Sequence, residues 1–375
     1  MYEIRLAIAA STPYTHTLAV ISTKQFLDMK KIILVVFILC FGIELSAQKY
    51  SFIPAELTPI PSSEFQKPKQ PIDLVYKEDG TKITYTDAIK LVASQKAIPT
   101  LFVDKTGSNK ALVISENIQI DYPGMPDHLK SLGYSYGNPD SDIVLIHSQG
   151  SPNLILSTWL FEKNAVRLSK TVGDHFWVNV KQNQMINLDE FRNRQLSFDE
   201  TKEYVTKTSK ILWEIVNYFK SQNKKVYLLG ASGGAFVITD MIATYGNIAD
   251  GYVIMTGRLD MNDEMWIPRS KGEVWHFNKD GKTIYKVDPP TSILAKNINL
   301  SQAAGAYKRY TEELKGVDLS NVIYLYGKTD DKVGALLEHE IEFLKSHGAL
   351  VIASNGGHSL SRKYLEILVR LMLLD

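Results

Sequence analysis

The sequence predicts an α/β fold with a mostly parallel central sheet flanked by helices. Three observations carry that expectation. Short continuous apolar runs recur at Ile143–Ile146, Val226–Leu229, Tyr252–Met255, Val322–Tyr326 and Ala349–Ala353, the pattern of strands buried on both faces. Segments of helical spacing alternate with them, as they do where helices cover a parallel sheet. One of these strands also runs straight into Gly230-Ala231-Ser232-Gly233-Gly234 and then into a helical pattern, Ala235–Tyr245.

The elements follow in chain order. Residues 1–28 carry no motif and read as an upstream extension, so Met29 is a candidate start. Met29-Lys30-Lys31 precedes twelve uncharged residues, Ile32 to Ile43, and then Glu44-Leu45-Ser46-Ala47. A basic start, a short apolar run and a small residue before a polar one predict a secretory signal over 29–47. Twelve residues are too few for a bilayer span, which needs about 20, so no stable membrane span is expected after its removal. Residues 48–71 read as a proline-rich leader, because 54–71 hold five of the fourteen prolines. Residues 72–120 read as a β extension. Within it, turns at Asp79-Gly80 and Lys105–Asn109 separate short strand patterns, Leu74–Tyr76 from Lys82–Tyr85 and Leu101–Val103 from Ala111–Ile114. A short helix over Asp87–Ser94, capped by Thr86, is expected between them.

Phe176–Val180 is the next strand expected after Ile143–Ile146. Phe198–Lys220 has apolar residues at Tyr204, Ile211, Ile215 and Phe219, and Ser197 is its candidate N-cap. Two more helices, Leu336–Ser346 and Leu360–Leu374, are expected beside the last two strands. Residues 258–320 interrupt the alternation with Trp266, Trp275, Phe277, Tyr285, Tyr307 and Tyr310 and a hairpin signal at Asp280-Gly281. Such an insertion fits a cap over an active site, and equally a subdomain with its own small core. Residues 72–375 are expected to form a single domain.

Composition narrows the function. The 42 Lys and Arg nearly balance the 41 Asp and Glu, giving a formal charge of +1 and no basic excess for nucleic acid. Removal of 1–47 takes four basic and three acidic residues and leaves 38 of each. The one cysteine, Cys40, leaves with the signal. Bulky Leu39 stands before it, where a lipoprotein signal has a small residue. The remaining chain therefore has no disulfide, no thiol nucleophile and no thiolate metal ligand.

The chemistry gathers around Ser232. A chain turning from strand to helix this sharply needs glycines on its flanks, and the turn lifts the serine hydroxyl above the sheet. The next backbone N–H lies at a helix N-terminus, where developing negative charge is stabilised. A serine hydroxyl needs a base to take its proton, and the base needs a group to orient it. Among eight histidines, His358 is preferred as base. It follows the strand Ala349–Ala353 on the glycine loop Asn355-Gly356-Gly357. His339 and His347 fall in one helix pattern, and His128, His175 and His276 lack supporting context. For the acid, the order of preference is Asp330, Asp331 and Asp260. Asp330 heads the loop after Val322–Tyr326, at the edge where open α/β sheets bind ligands.

With these residues the chain resembles the α/β-hydrolase superfamily over about 140–375. The matching motifs are the elbow Gly230-Ala-Ser232-Gly233-Gly234, the run from Gly327 through Asp330 to Val333, and the late Gly357-His358, in the family's order. The resemblance implies Ser232 as nucleophile, His358 as general base and acid, and Asp330 as orienting carboxylate. It also implies an oxyanion hole from the N–H of Gly233 and a second from the loop His147-Ser148-Gln149-Gly150, with Gln149 preferred over Ser148. His147-Ser148 stands where many members have His-Gly. His147 would then be a structural histidine.

The expected function is a secreted or periplasmic serine hydrolase cleaving an ester or related acyl bond of a small-molecule or peptide substrate. Such chemistry needs no metal or organic cofactor. A peptidase or amidase of the same fold, or a non-catalytic binding module, are the alternatives.

Overall fold

The structure is a computed structural model, and it describes residues 50–60, 67–68, 70–93, 97–150, 152–359 and 362–373. The expected upstream extension and signal, with Cys40, lie outside the described residues. The chain divides into two compact units. The described part of the first comprises 50–59 and 103–109. Within it Thr58 Oγ1 donates to Val103 O at 3.2 Å, and the Asp104 carboxylate closes a turn by accepting from the N–H groups of Thr106, Ser108 and Asn109. Tyr50 and Leu57 are buried, and β1 spans Thr58–Ile60.

The second unit holds everything else. After β2 (Leu74–Lys77) comes helix α1 (Tyr85–Ala93). It starts two residues earlier than expected, and its cap is Thr84, not Thr86. Thr84 Oγ1 accepts from Asp87 N at 3.1 Å while Asp87 accepts from the Thr84 hydroxyl at 2.7 Å, a reciprocal arrangement that Thr86 is placed too late to make. The strand expected at Lys82–Tyr85 shrinks to a single bridge between Tyr76 and Lys82 because Tyr85 already belongs to the helix. Strands β3 (Ile98–Val103) and β4 (Lys110–Ser115) follow, and β2 pairs with β4 in parallel.

The main sheet has seven strands. After the short helix α2 (Asp127–Lys130) come β5 (Gly133–Gly137), β6 (Ile143–Ser148), helix α3 (Thr158–Val172) and β7 (Phe176–Val180). Helices α4 (Asn183–Ile186), α5 (Leu188–Asn193) and α6 (Phe198–Ser221) lead to β8 (Lys225–Ala231), α7 (Gly233–Tyr245) and β9 (Gly251–Met255). An intervening segment holds α8 (Asp263–Ser270), the antiparallel hairpin β10 (Val274–Phe277) with β11 (Ile284–Val287), α9 (Ile293–Ala306) and α10 (Tyr310–Glu313). The chain ends with β12 (Val322–Gly327), α11 (Glu338–Ser346), β13 (Leu350–Ser354) and α12 (Arg362–Met372).

Strand order across the sheet is β13-β12-β9-β8-β6-β7-β5. Every pair is parallel except β5 with β7. Alternation along β8 feeds two cores. Val226 and Leu228 pack with Ile215 and Phe219 of α6 and Ile238 of α7. Tyr227 and Leu229 pack with Phe161 and Leu168 of α3 and Leu368 of α12. Each such side chain, taken out of water, contributes about 1.5–3 kcal/mol. Ser197 caps α6 as expected, in a capping box with Glu200. From β6 the chain proceeds to β7 on one side, and from the adjacent β8 to β9 on the other. The crevice beyond the ends of β6 and β8 is therefore the topological switch point, where open α/β sheets bind ligands.

Candidate active site

The turn between β8 and α7 puts Ser232 at φ 55°, ψ −121°, a conformation that side chains usually avoid. Its backbone is held on both sides, with Ser232 N donating to Met255 O at 2.9 Å and Ala235 N donating to Ser232 O at 2.9 Å. The flanking glycines are needed for space. A Cβ on Gly230 would lie 2.6 Å from Ile238 Cδ1 and 2.7 Å from Gly234 O, and one on Gly234 would fall onto Ser148 O. The two glycines thus let α7 begin hard against β6 and β8. Gly233 opens α7, so its N–H belongs to the first helical turn, whose donors have no partner within the helix.

At the ends of β12 and β13 two further loops run side by side. Lys328 N donates to Ser354 O at 2.9 Å and Thr329 N to Gly356 O at 3.3 Å. A Cβ on Gly327 would meet Gly357 O at 2.6 Å, so only glycine permits this approach. The loops bring Asp330 to His358. Nδ1 of His358 lies 2.9 Å from each Asp330 carboxylate oxygen. Asp330 is buried, and its Oδ1 also accepts from Lys332 N at 2.9 Å and Val333 N at 3.0 Å. The carboxylate is therefore also held by the backbone, independently of its bond to the imidazole. The His358 Nδ1 must carry the proton, which leaves Nε2 as the basic nitrogen. No hydrogen bond joins Ser232 Oγ to this ring among the described residues.

The other acid candidates are engaged elsewhere. Asp331 pairs with Lys332 at 3.3 Å. Asp260 accepts from Thr311 Oγ1 at 2.6 Å and lies 3.1 Å from His339 Nε2. His347 and His175 bond backbone carbonyls of Phe343 and Val172.

Gln149, expected as the second oxyanion donor, sits in the loop after β6 and is buried. Gly150 beside it approaches the elbow so closely that a Cβ there would lie 2.8 Å from Ala231 O and 3.4 Å from Ser232 Cβ. A network of amides fixes this loop. Gln149 Oε1 accepts from Ser157 N at 2.7 Å and Asn179 Nδ2 at 3.0 Å, and Gln149 O accepts from Gln182 Nε2 at 2.9 Å. Gln182 in turn accepts from Asn153 N at 3.0 Å, and Gln184 donates to Asn153 O at 3.1 Å. Asn179 turns its Oδ1 to His147 Nδ1 at 3.0 Å. Because the Asn179 amide nitrogen is committed to Gln149, His147 must donate from Nδ1. Burial pushes the His147 imidazole below the ordinary histidine value, against the opposing pull of the Asn179 bond. Ser148, the second choice as donor, is a buried strand residue paired with Gly230. Sequence reasoning missed this network. Its one visible signal is Asn179, a polar residue inside the otherwise apolar strand Phe176–Val180.

A cavity of about 170 Å³ opens beside Ser232 and Gly233. Phe236 and Val237 of α7 form part of its wall, and the segment between β9 and β12 supplies another part through Met261, Met265, Trp266 and residues of α9. Of the six aromatics noted in that segment, Trp266 is in the lining. Tyr310 is instead fully buried, donating to Asp240 at 3.2 Å. His276, without context in the sequence, also faces the cavity. Among the described residues no group of three or more His, Cys, Asp or Glu is placed to hold a metal ion, and no helix is long and apolar enough to cross a membrane.

Strand order, the antiparallel edge strand β5 and a serine on the turn after β8 define an α/β-hydrolase fold. No protein-family model and no curated protein matches the chain. Similar solved structures include one described as that of LipS and LipT, metagenome-derived lipolytic enzymes, at 12% identity and a TM-score of 0.40, covering 64% of this chain and 96% of that one. Est1E from Butyrivibrio proteoclasticus is also 12% identical with a TM-score of 0.40, over 64% of this chain and 92% of its own. MenH from S. aureus is 12% identical with a TM-score of 0.39, over 65% and 98%.

Proposed function

We propose that the protein is a serine hydrolase cleaving a carboxylic ester, or a related acyl bond, of a small molecule. Ser232 Oγ attacks the acyl carbon as His358 Nε2 takes its proton, giving a tetrahedral oxyanion facing the N–H groups of Gly233 and Gln149. Each such donor supplies on the order of 3 kcal/mol of transition-state stabilisation. His358 then passes the proton to the departing alcohol oxygen, leaving an acyl-serine. Water attacks that ester, its proton goes to His358 and returns to Ser232, and the carboxylic acid departs. Asp330 holds the imidazole in the required tautomer throughout.

The observation that carries this reading is the His358–Asp330 pair, oriented on loops at the sheet edge where Ser232 occupies its strained turn. A cavity of about 170 Å³ beside Ser232 has room for a small acyl group. The segment 258–320 acts here as a cap that shapes this acyl pocket. The signal at 29–47 sends the enzyme to the periplasm or the exterior, and no cofactor enters the steps above.

Fluorophosphonate labelling of the purified protein, beside Ser232→Ala, tests the assignment. Labelling of the parent alone is expected. Equal labelling of both would remove Ser232 as the nucleophile, and labelling of neither would favour a binding module that kept the fold.

A further inference from the structure

The cavity beside Ser232 is apolar near α7 and basic where the segment between β9 and β12 and the loop after β12 line it. Its charged and titratable lining consists of Arg269, His276, Lys332 and the phenol-bearing Tyr204, and no carboxylate lines it among the described residues. Lys332 is already paired with Asp331 at 3.3 Å. Arg269 has no such partner among the described residues. Its Nε and Nη2 donate to Trp275 O, and Nη1 donates to Gln302 Oε1 at 2.6 Å. A guanidinium carries five N–H donors, so two remain uncommitted, one on each terminal nitrogen. Partial burial lowers the Arg269 pKa to about 10, and no carboxylate pairs with the guanidinium among the described residues to offset it. One turn along α9 from Gly305, Ser301 lines the same cavity. It is 8% exposed, and its Oγ is buried without a hydrogen-bond partner. A buried hydroxyl left without a partner is uncommon, and this one belongs to a residue that borders the same cavity as a half-buried guanidinium with N–H groups to spare.

We propose that this cavity receives a carboxylate on the substrate, held by the free N–H groups of Arg269 with Ser301 Oγ as an additional donor. The substrate class is then a half-ester of a dicarboxylic acid, or an equivalent acyl compound. Its ester carbon meets Ser232, a short apolar spacer lies against Phe236, Met261 and Met265, and its carboxylate ends at Arg269. The planar fork of the guanidinium suits a carboxylate better than a neutral carbonyl, and a charge-assisted bond is roughly twice as strong as a neutral one. This proposal rests on the assignment of Ser232 as the reacting centre.

The test separates the two. On the full chain carrying Ser232→Ala, where nothing is turned over, monomethyl glutarate and dimethyl glutarate are titrated while tryptophan fluorescence is followed, because Trp266 lines the cavity. The monoanion is expected to bind at least tenfold tighter than the neutral diester. Arg269→Gln should bring the two within twofold, Arg269→Lys should retain part of the preference, and Ser301→Ala should weaken the monoanion about threefold while leaving the diester unchanged. Equal binding of both ligands, binding of neither, or a preference that survives Arg269→Gln would overturn the proposal. If Arg269→Gln fails to fold, the Arg269→Lys and Ser301→Ala titrations decide. Fluorophosphonate labelling of the parent reports separately on Ser232. Labelling without anion preference sinks the carboxylate alone, and anion preference without labelling sinks the hydrolase reading alone.

Discussion

Ser232 holds its φ of 55° only because its surroundings leave no alternative. The bond from its N–H to Met255 O anchors one side of the turn and the start of α7 fixes the other. A non-glycine residue in such a region costs of order 1–3 kcal/mol. Glycine carries no Cβ to clash there, although it loses more chain entropy on folding. Ser232→Gly is therefore expected to be more stable than Ser232→Ala by about 1 kcal/mol in urea denaturation. A glycine variant no more stable than the alanine variant would show that the turn stores no strain. The elbow was readable from sequence because its geometry admits few residues. Gly230 and Gly234 each face a backbone or core atom at a distance no Cβ tolerates, so the pattern of glycines is a direct imprint of the packing. His358 and Asp330 were readable in a weaker way, from their order and from the strands they follow.

At the scale of elements, the loop after β6 is held by side chains from β7 and from the segment leading into α4. His147 belongs to this arrangement, and burial lowers its pKa. A histidine whose folded pKa is depressed contributes stability that is complete above its unfolded value, about 6.5. That stability is lost as pH falls from there toward the folded value, because the unfolded chain binds the proton more tightly. Unfolding free energy should therefore decline on the acid side of pH 6.5. His147→Gln, which cannot titrate, should flatten that limb when urea titrations are compared at pH 7 and pH 5.5. An identical slope in both proteins would remove His147 as its cause. The network escaped sequence reading because amides have no motif and their partners are some 30 positions apart. Buried parallel strands were legible as unbroken apolar runs, whereas β5, Gly-Tyr-Ser-Tyr-Gly, is a short edge strand without such a run. Helix α3 went unread as well, since the 48% exposed Leu160 blurs the stripe made by Phe161, Ala165 and Leu168.

For the whole molecule, the absence of cysteine after residue 47 puts stability on the core and on a few buried polar joints. Among the described residues the most connected is Arg258 with Glu340, 82 positions apart and at most 1% exposed. Arg258 Nε lies 3.0 and 2.8 Å from the two Glu340 oxygens, and its Nη2 donates to Asp260 O at 2.9 Å. Glu340 also accepts the N–H groups of Leu259, Asp260 and Leu337 at 2.7 to 2.8 Å. One carboxylate thus ties the chain leaving β9 to the start of α11, while Arg258 Nη1 reaches toward Val333 O in the loop that carries Asp330. Replacing a buried pair with apolar residues is often harmless, but here it would also strand three backbone donors, each costing about 1–3 kcal/mol when buried and unmade. Glu340→Gln keeps the shape and removes the charge. Its amide nitrogen can only donate, so wherever it points it faces donors already present. A loss of about 3 kcal/mol or more is expected in urea denaturation, with the Arg258→Met, Glu340→Leu double variant no more stable than Glu340→Gln. A double variant as stable as the parent would mean that the apolar fit, and not the carboxylate, joins these elements.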